Sequence, residues 1–260
     1  MSMIFELLNS ASINSVFLFV VALVLLFISA YIGKYFFKKR HGNNVLVDDE
    51  TNIVLGAILS LLALLIGFVL SISIQGYNER QKTEENEAIS IGVAAQYTQL
   101  LTPEQQQTTK TLLVEYLDAR VVFFKSGMSQ ENQYWQAISF QKQAELWDFM
   151  TTEVAPKEHA SINVILSAFS NLYVSQQNTL ASWKHHVPNA AWFLLIVFAI
   201  CANILIGYNI RGLKGKNWLI FLLPLLTTLA LFIIAEIDTP GEGVIHVVPD
   251  NLLLLKQNMF

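Results

Sequence analysis

The sequence predicts an all-α integral membrane protein, with four transmembrane helices and a four-helix extramembrane bundle that is continuous with spans two and three. Three observations support this fold class. First, 53% of the 260 residues are hydrophobic and only 14% are charged, whereas soluble domains carry about 25% charged residues. Second, the apolar residues are concentrated in four blocks. Third, no stretch alternates apolar and polar residues in the way that a half-buried β-strand does.

The first apolar block predicts transmembrane helix one at 13–37. The stretch 7–33 contains no charged residue, and a helix needs about 20 apolar residues to cross a bilayer. Four basic residues at 34–40 follow this block, and no Lys or Arg precedes it. A secretory signal peptide has the opposite order. We therefore expect a membrane anchor here rather than a signal peptide.

The second block predicts transmembrane helix two at 51–78, which is uncharged throughout. Small residues recur along one face of this helix at spacings of three and four, which allows another helix to approach closely. The spacing fits packing within one subunit, a contact between subunits, or the wall of a pore. The candidate pore or helix-contact face comprises Gly56, Ser60, Ala63, Gly67, Ser71 and Ile74.

The region 79–186 lacks long apolar blocks and predicts the extramembrane helical bundle. Its first helix continues from span two, because no proline separates them. An apolar stripe on this helix is expected to pack into the bundle core; it comprises Ile89, Val93, Tyr97 and Leu100. An acidic run on the same helix is expected to face solvent; it comprises Glu84, Glu85 and Glu87.

Start and stop signals predict three further helices in the bundle. Thr102 and Pro103, with Gln105 three residues after the threonine, are typical of a helix start, and Gly127 is a typical stop. The next helix is predicted at about 131–150. Pro156 is expected to open the last helix, which is predicted to run towards Pro188.

The last two apolar blocks predict transmembrane helix three at 187–210 and transmembrane helix four at 217–236, followed by a tail at 237–260. Asn203 lies well inside span three, and a buried amide there usually bonds to another helix. It is therefore the candidate interhelical polar residue, with a role in permeation as the alternative. Pro224 is expected to kink span four, which membrane helices tolerate. The tail is too short to span and is expected on the membrane surface.

The two short loops carry the basic residues and predict the orientation. The loop after span one holds four Lys or Arg residues, and the loop after span three holds Arg211, Lys214 and Lys216. Short basic loops stay in the cytoplasm. Both termini and the bundle 79–186 are therefore expected outside a bacterial inner membrane.

The sequence contains no pattern that predicts catalysis, so we expect no enzyme and no catalytic, cofactor-binding or metal-binding residues. The five histidines show no metal-ligand spacing, and the single cysteine, Cys201, cannot form an internal disulfide or a thiolate metal site. The net charge of −4 gives no basic surface for nucleic acid. No Asp, Glu, Lys or Arg lies deep inside a span, which argues against a proton-coupled transporter.

Three short motifs, together with the four spans, resemble the bacterial bestrophin-like domain family over roughly residues 50–250. They are Glu85-Asn86-Glu87-Ala88-Ile89, Leu100–Pro103, and Asp238-Thr239-Pro240 with Gly241 and Gly243. Bestrophins proper are oligomeric anion channels whose second span lines the pore, so the resemblance implies a pore formed by span two. Bestrophins keep their helical region in the cytoplasm, so the resemblance and the loop charges predict opposite orientations. Bestrophins also place an aromatic neck on the pore helix, where this chain has only Phe68 before Tyr77.

Two functions remain open from the sequence. One is an oligomeric bestrophin-like ion channel, whose partners are the lipid bilayer, further copies of the chain, and ions. The alternative is a non-enzymatic envelope protein that senses or binds a partner through its bundle. Oligomeric state separates them, because a pore built from one helix per subunit requires a ring of subunits.

Overall fold

The fold is all-α in the part of the chain that the computed structural model describes, namely residues 13–41, 49–127, 130–156, 162–209, 219–241 and 245–259. The sequence prediction of the fold class is confirmed at this level. The helices are α1 (Ile13–His41), α2 (Asp49–Tyr97), α3 (Pro103–Lys125), α4 (Gln130–Phe149), α5 (Ile162–Trp183), α6 (Asn189–Asn209), α7 (Leu219–Asp238) and α8 (Asp250–Met259).

Four helical stretches are long and apolar enough to cross a membrane. They overlap α1, α2, the α5–α6 region and α7; the stretches are Phe17–Phe36, Asn52–Leu100, Ile162–Tyr208 and Ile220–Asp238. The predicted number of spans is therefore confirmed. Helix α2 is 49 residues long and continues well past its apolar part, because neither proline nor a glycine stop interrupts it there.

The chain divides into two compact units. The first, here called the membrane unit, contains the chain up to Gln75 together with His186–Thr239. The second, here called the bundle unit, contains Gly76–His185 together with the chain from Pro240 onwards. Helix α8 thus belongs to the bundle unit, and its Leu252 is buried in the same core as residues of α3. Its expected position on the membrane surface stays a prediction.

Two glycines bring α1 and α6 together in the membrane unit. A Cβ atom added at Gly33 would overlap the backbone of Ile204, and one added at Gly207 would overlap the backbone of Ala30. Only glycine permits so close an approach of two backbones. Ala30, whose backbone meets Gly207, is itself fully buried, so small residues from both helices form this contact.

Capping residues define α3 much as the sequence predicts. The backbone N–H of Thr102 donates to Oε1 of Gln105 at 3.2 Å, and Pro103 occupies the first helical position. Gly127 ends the segment with a φ of +64°, a conformation that favours glycine. The last bundle helix differs from prediction, because α5 begins at Ile162 and not at Pro156, where the chain forms a turn.

The side of α2 that enters the bundle core differs in large part from the predicted one. Ile89 is 55% exposed, so the predicted apolar stripe is partly uncovered, although Tyr97 of the same stripe packs against the bundle core. The opposite side is buried and includes two members of the acidic run, Glu84 and Glu87. The expectation that this run faces solvent is wrong for these two residues; Glu85 is exposed. The physical reason is that each buried carboxylate finds hydrogen-bond partners on neighbouring helices.

Candidate functional site

The candidate face of α2 is uncovered within a single chain. All six of its residues are exposed, namely Gly56, Ser60, Ala63, Gly67, Ser71 and Ile74. Nothing lies within 4 Å of a Cβ added at Gly56 or Gly67. Packing within one subunit therefore does not account for this small-residue pattern. The close small-residue contact that one chain does form joins α1 and α6 instead.

The opposite side of the same helix segment packs into the membrane unit. Leu62 and Val69 are buried in its apolar core, and Ser73 is 1% exposed. The Ser73 hydroxyl donates to the carbonyl of Val69 at 3.1 Å, so it satisfies its hydrogen bond inside its own helix. One side of helix α2 therefore packs against its own chain, and the other side is left exposed by that chain.

The hydroxyl groups on the exposed face offer a weakly polar surface without formal charge. Ser60 donates its proton to the carbonyl of Gly56 at 2.8 Å, so its oxygen lone pairs remain free to accept hydrogen bonds. Ile74 is 43% exposed and Leu64 is 67% exposed. Such a surface combines hydroxyl dipoles with large apolar side chains, the elements from which hydrophobic constrictions of channels are built.

Asn203 is fully buried in the membrane unit. Its Nδ2 donates to the carbonyl of Ala199 at 2.7 Å, which lies one turn earlier in the same helix α6. Its Oδ1 has no hydrogen-bond partner among the described residues. The structure thus differs from the predicted bond to another helix, since the amide bonds within its own helix.

The motif that begins at Asp238 fixes the ends of helices. In the membrane unit, Asp238 Oδ1 accepts a hydrogen bond from the backbone N–H of Val187 at 2.9 Å. In the bundle unit, Gly241 has a φ of +70°, and a Cβ added there would lie 2.6 Å from Cα of Gly127 and 3.1 Å from Trp183. Only glycine fits this position. Gly243, the last residue of the predicted motif, lies outside the described residues.

A buried ion pair at the centre of the bundle unit is the feature that the sequence prediction missed. Both Arg120 of α3 and Glu87 of α2 are 0% exposed. Arg120 donates through Nε to Oε1 of Glu87 and through Nη2 to Oε2, the latter at 2.9 Å. The hydroxyl of Thr179 in α5 donates to the same Oε2 at 2.7 Å. One carboxylate therefore joins three helices.

The electrostatics of this cluster follow from its burial. Desolvation raises the pKa of Tyr116 well above its usual range, and the nearby Glu87 carboxylate raises it further, so the phenol keeps its proton. Burial alone would lower the pKa of Arg120, but the attraction of Glu87 outweighs it and the pKa is raised. The guanidinium also lies 4.2 Å from the ring centroid of Phe123, a favourable cation–π distance.

Helical spacing is the sequence signal that points to this cluster. Thr83, Glu84, Glu87, Ile91 and Ala94 recur at spacings of one, three, four and three, and all are buried. This stripe mixes charged and apolar residues, so a search for apolar periodicity alone favoured the more hydrophobic side. In addition, Arg120 stands within an apolar stripe of α3, where a lone charge calls for a buried partner.

The fold and the four candidate spans define the class: an all-α membrane protein. The family model of the Bestrophin-like domain matches residues 16–252. The chain therefore belongs to the bestrophin-like domain family. A comparison with curated proteins finds no match.

Solved structures share the fold at low sequence identity. A crystal structure of a mutated bacterial bestrophin homologue from Klebsiella pneumoniae is 13% identical, with a TM-score of 0.61, over 94% of this chain and 97% of that one. Two crystal structures of membrane proteins carrying substitutions are each 12% identical. Their TM-scores are 0.61 and 0.60, and the matches cover 92% and 95% of this chain and 97% and 98% of theirs. These likenesses concern the fold.

Proposed function

We propose that the chain is one subunit of an oligomeric ion channel in which α2 lines the pore. The observation that carries this proposal is the uncovered face of α2 from Gly56 to Ile74. A face of small and hydroxyl-bearing residues opposite a packed side is suited to a water-filled path or to another subunit. Membership of the bestrophin-like domain family supports the same function.

The proposal includes a ring of identical subunits, because one helix cannot enclose a pore. In the bundle unit α2 again leaves apolar residues uncovered, including Ile89 and Val93. These residues would also be covered by neighbouring copies. Subunit number is measured by native mass spectrometry and by cross-linking in lipid. A monomer in both detergent and lipid contradicts the ring and the pore together.

Permeation through such a pore would depend on dipoles and apolar constrictions, because the face carries no charged residue. Selectivity among ions is then modest. Ser71 and Ser60 are the candidate polar lining, whereas Ser73 is buried and ranks lower. Ile74 and Leu64 are the candidate dewetting gates.

The decisive experiment records currents from purified protein in planar bilayers. Ile74→Ala widens the constriction and is expected to raise conductance or open probability, while Ser71→Leu is expected to lower them. Leu61→Ala is the matched control: Leu61 is 49% exposed but lies about 140° round the helix from Ile74 at 3.6 residues per turn. It should leave the current unchanged. No current from either the parent or Ile74→Ala, at both voltage signs and in several salts, contradicts the channel.

The second candidate function is partner binding through the bundle unit. It is favoured by a groove between α4 and α5 with a volume of about 420 Å³. The groove is lined by aromatic side chains, of which Trp147 is 43% exposed and Tyr173 is 52% exposed. Exposed aromatic residues are enriched where proteins bind partners. Loss of current in bilayers, combined with a monomeric state, would favour this function.

A further inference from the structure

The buried cluster around Glu87 contains more polar atoms than its own side chains satisfy. Arg120 Nη1, Tyr116 Oη and both amide atoms of Gln176 have no hydrogen-bond partner among the described residues. All three side chains are fully buried. Buried polar groups in proteins are almost always hydrogen-bonded, to protein or to ordered water. A concentration of such atoms beside one ion pair therefore calls for an occupant.

Helix register places these atoms on the same side of Glu87. Helices α2 and α5 run antiparallel, as the bonds Thr83–Ser182 and Glu87–Thr179 show. Gln176, three residues before Thr179, thus lies level with about Ile91 of α2. Helix α3 also runs antiparallel to α2, because it starts soon after α2 ends and Arg120, near its own end, reaches back to Glu87.

Tyr116 therefore lies at the same level as Gln176. It precedes Arg120 by four residues, which is about one helical turn. Its phenol lies close enough to Glu87 for a hydrogen-bonding contact to contribute to its raised pKa, although that contact lacks the geometry of a full hydrogen bond. The phenol, the amide of Gln176 and the free nitrogen of Arg120 thus approach one layer of the core.

The chemistry of these groups selects the occupant. They offer a guanidinium N–H, an amide N–H, an amide carbonyl and a phenol that both donates and accepts. Glu87 already neutralises Arg120, so the layer has no excess positive charge to hold an anion. The guanidinium disfavours a cation. The layer therefore suits a neutral molecule that can both donate and accept hydrogen bonds. Water is such a molecule, and a buried water makes about three hydrogen bonds.

We propose that the bundle unit contains an internal hydration site, in which one or two waters are bound by Arg120 Nη1, Tyr116 Oη and the amide of Gln176. The water accepts from Arg120 and from Gln176 Nε2, and it donates to Gln176 Oε1 or to Tyr116. It extends the Glu87–Arg120–Thr179 cluster to a second layer. This site belongs to the bundle unit and does not depend on ion conduction.

The test is a crystal or cryo-EM map of the full-length protein, at a resolution that shows ordered water. We expect density within hydrogen-bond distance of Arg120 Nη1, Tyr116 Oη and the Gln176 amide. Direct bonds among these side chains with no density between them would overturn the proposal. Density that is too large or too strong for water would also overturn it.

Two variants test the same site without relying on one map. Tyr116→Phe removes a ligand of the water and should weaken or abolish its density. Thr109→Val is the matched control, because Thr109 is another fully buried α3 residue whose hydroxyl has no partner, about two turns from Tyr116. It should leave the density intact. Equal density in parent and Tyr116→Phe, with the water bound to other atoms, contradicts the assignment.

Discussion

Glu87 of α2 is the central residue of the bundle unit, because its carboxylate bonds to Arg120 of α3 and to Thr179 of α5. A buried ion pair adds little net stability relative to well-packed apolar residues, since both charges lose their hydration. Removing one partner is different, because the other charge then remains buried and uncompensated. We therefore expect the pair to act mainly on specificity, by fixing how the three helices are aligned along their axes.

Arg120→Met is expected to lower the free energy of unfolding by about 3–5 kcal/mol, the usual result of breaking a buried ion pair. Denaturant or thermal unfolding of the full chain in detergent measures this. Lys256→Met is the matched control: it removes the pair with Asp118, where both side chains are nearly half exposed, and should cost at most about 1 kcal/mol. Equal losses in the two variants would contradict a structural role for the buried pair.

Glu84 makes the attachment of α8 sensitive to pH. Its carboxylate accepts from Asn251 Nδ2 at 2.7 Å and from the backbone N–H of Leu252 at 3.0 Å. Burial raises the pKa of Glu84 above its ordinary value of 4.5, although these hydrogen bonds oppose the shift. A raised folded-state pKa contributes stability that is complete below pH 4.5 and is lost as the pH rises through the folded value.

Hydrogen-exchange protection factors of the α8 amides are therefore expected to fall as the pH rises above 4.5. In Glu84→Gln this fall should be smaller, because no buried charge develops. Glu85→Gln, a change at an exposed neighbour, should behave like the parent. If Glu84→Gln keeps the full pH dependence, another group is responsible for it.

At the scale of elements, the two small-residue faces of the membrane unit differ in what covers them. The contact of Gly33 and Gly207 is complete within one chain, whereas the face with Gly67 is open. The same pattern of small residues thus serves an internal contact in one place, and in the other it remains available for a neighbouring subunit or for water.

Gly33→Leu is expected to destabilise the single chain, because its side chain would overlap the backbone of α6. Gly67→Leu should leave each chain folded but reduce assembly, since a large side chain keeps a neighbouring helix away. Thermal melting and light scattering on size-exclusion fractions separate these effects. If Gly67→Leu assembles and melts like the parent, the face of α2 points to lipid or open water.

At the scale of the whole molecule, the loop charges lead us to propose that the termini and the bundle lie outside the inner membrane. With Cys201 replaced by alanine, a cysteine at Gln107, which is exposed, should react with an impermeant thiol reagent in intact spheroplasts. A cysteine at Gly215 should react only after lysis. The reverse pattern would place the bundle in the cytoplasm, as in bestrophins.

Much of the fold could be predicted from local sequence. Uncharged apolar blocks predicted the four spans, because a bilayer excludes charge from any segment that crosses it. Thr102, Pro103 and Gly127 predicted the ends of α3, since caps and positive φ angles are local requirements. The spacing of small residues in span two also predicted the candidate face of α2. What covers this face stays a prediction.

Only the tertiary structure decided which residues of each helix are buried in a core and which are exposed. Apolar Ile89 lies outside the core while charged Glu87 lies inside it, because Arg120, 33 residues away in sequence, and Thr179, 92 residues away, satisfy its carboxylate. Likewise α8 belongs to the bundle unit because Leu252 is buried in its apolar core while Glu84 accepts the backbone N–H of the same residue. A sequence states how costly a charge is to bury, but only the folded chain brings together the partners that offset that cost.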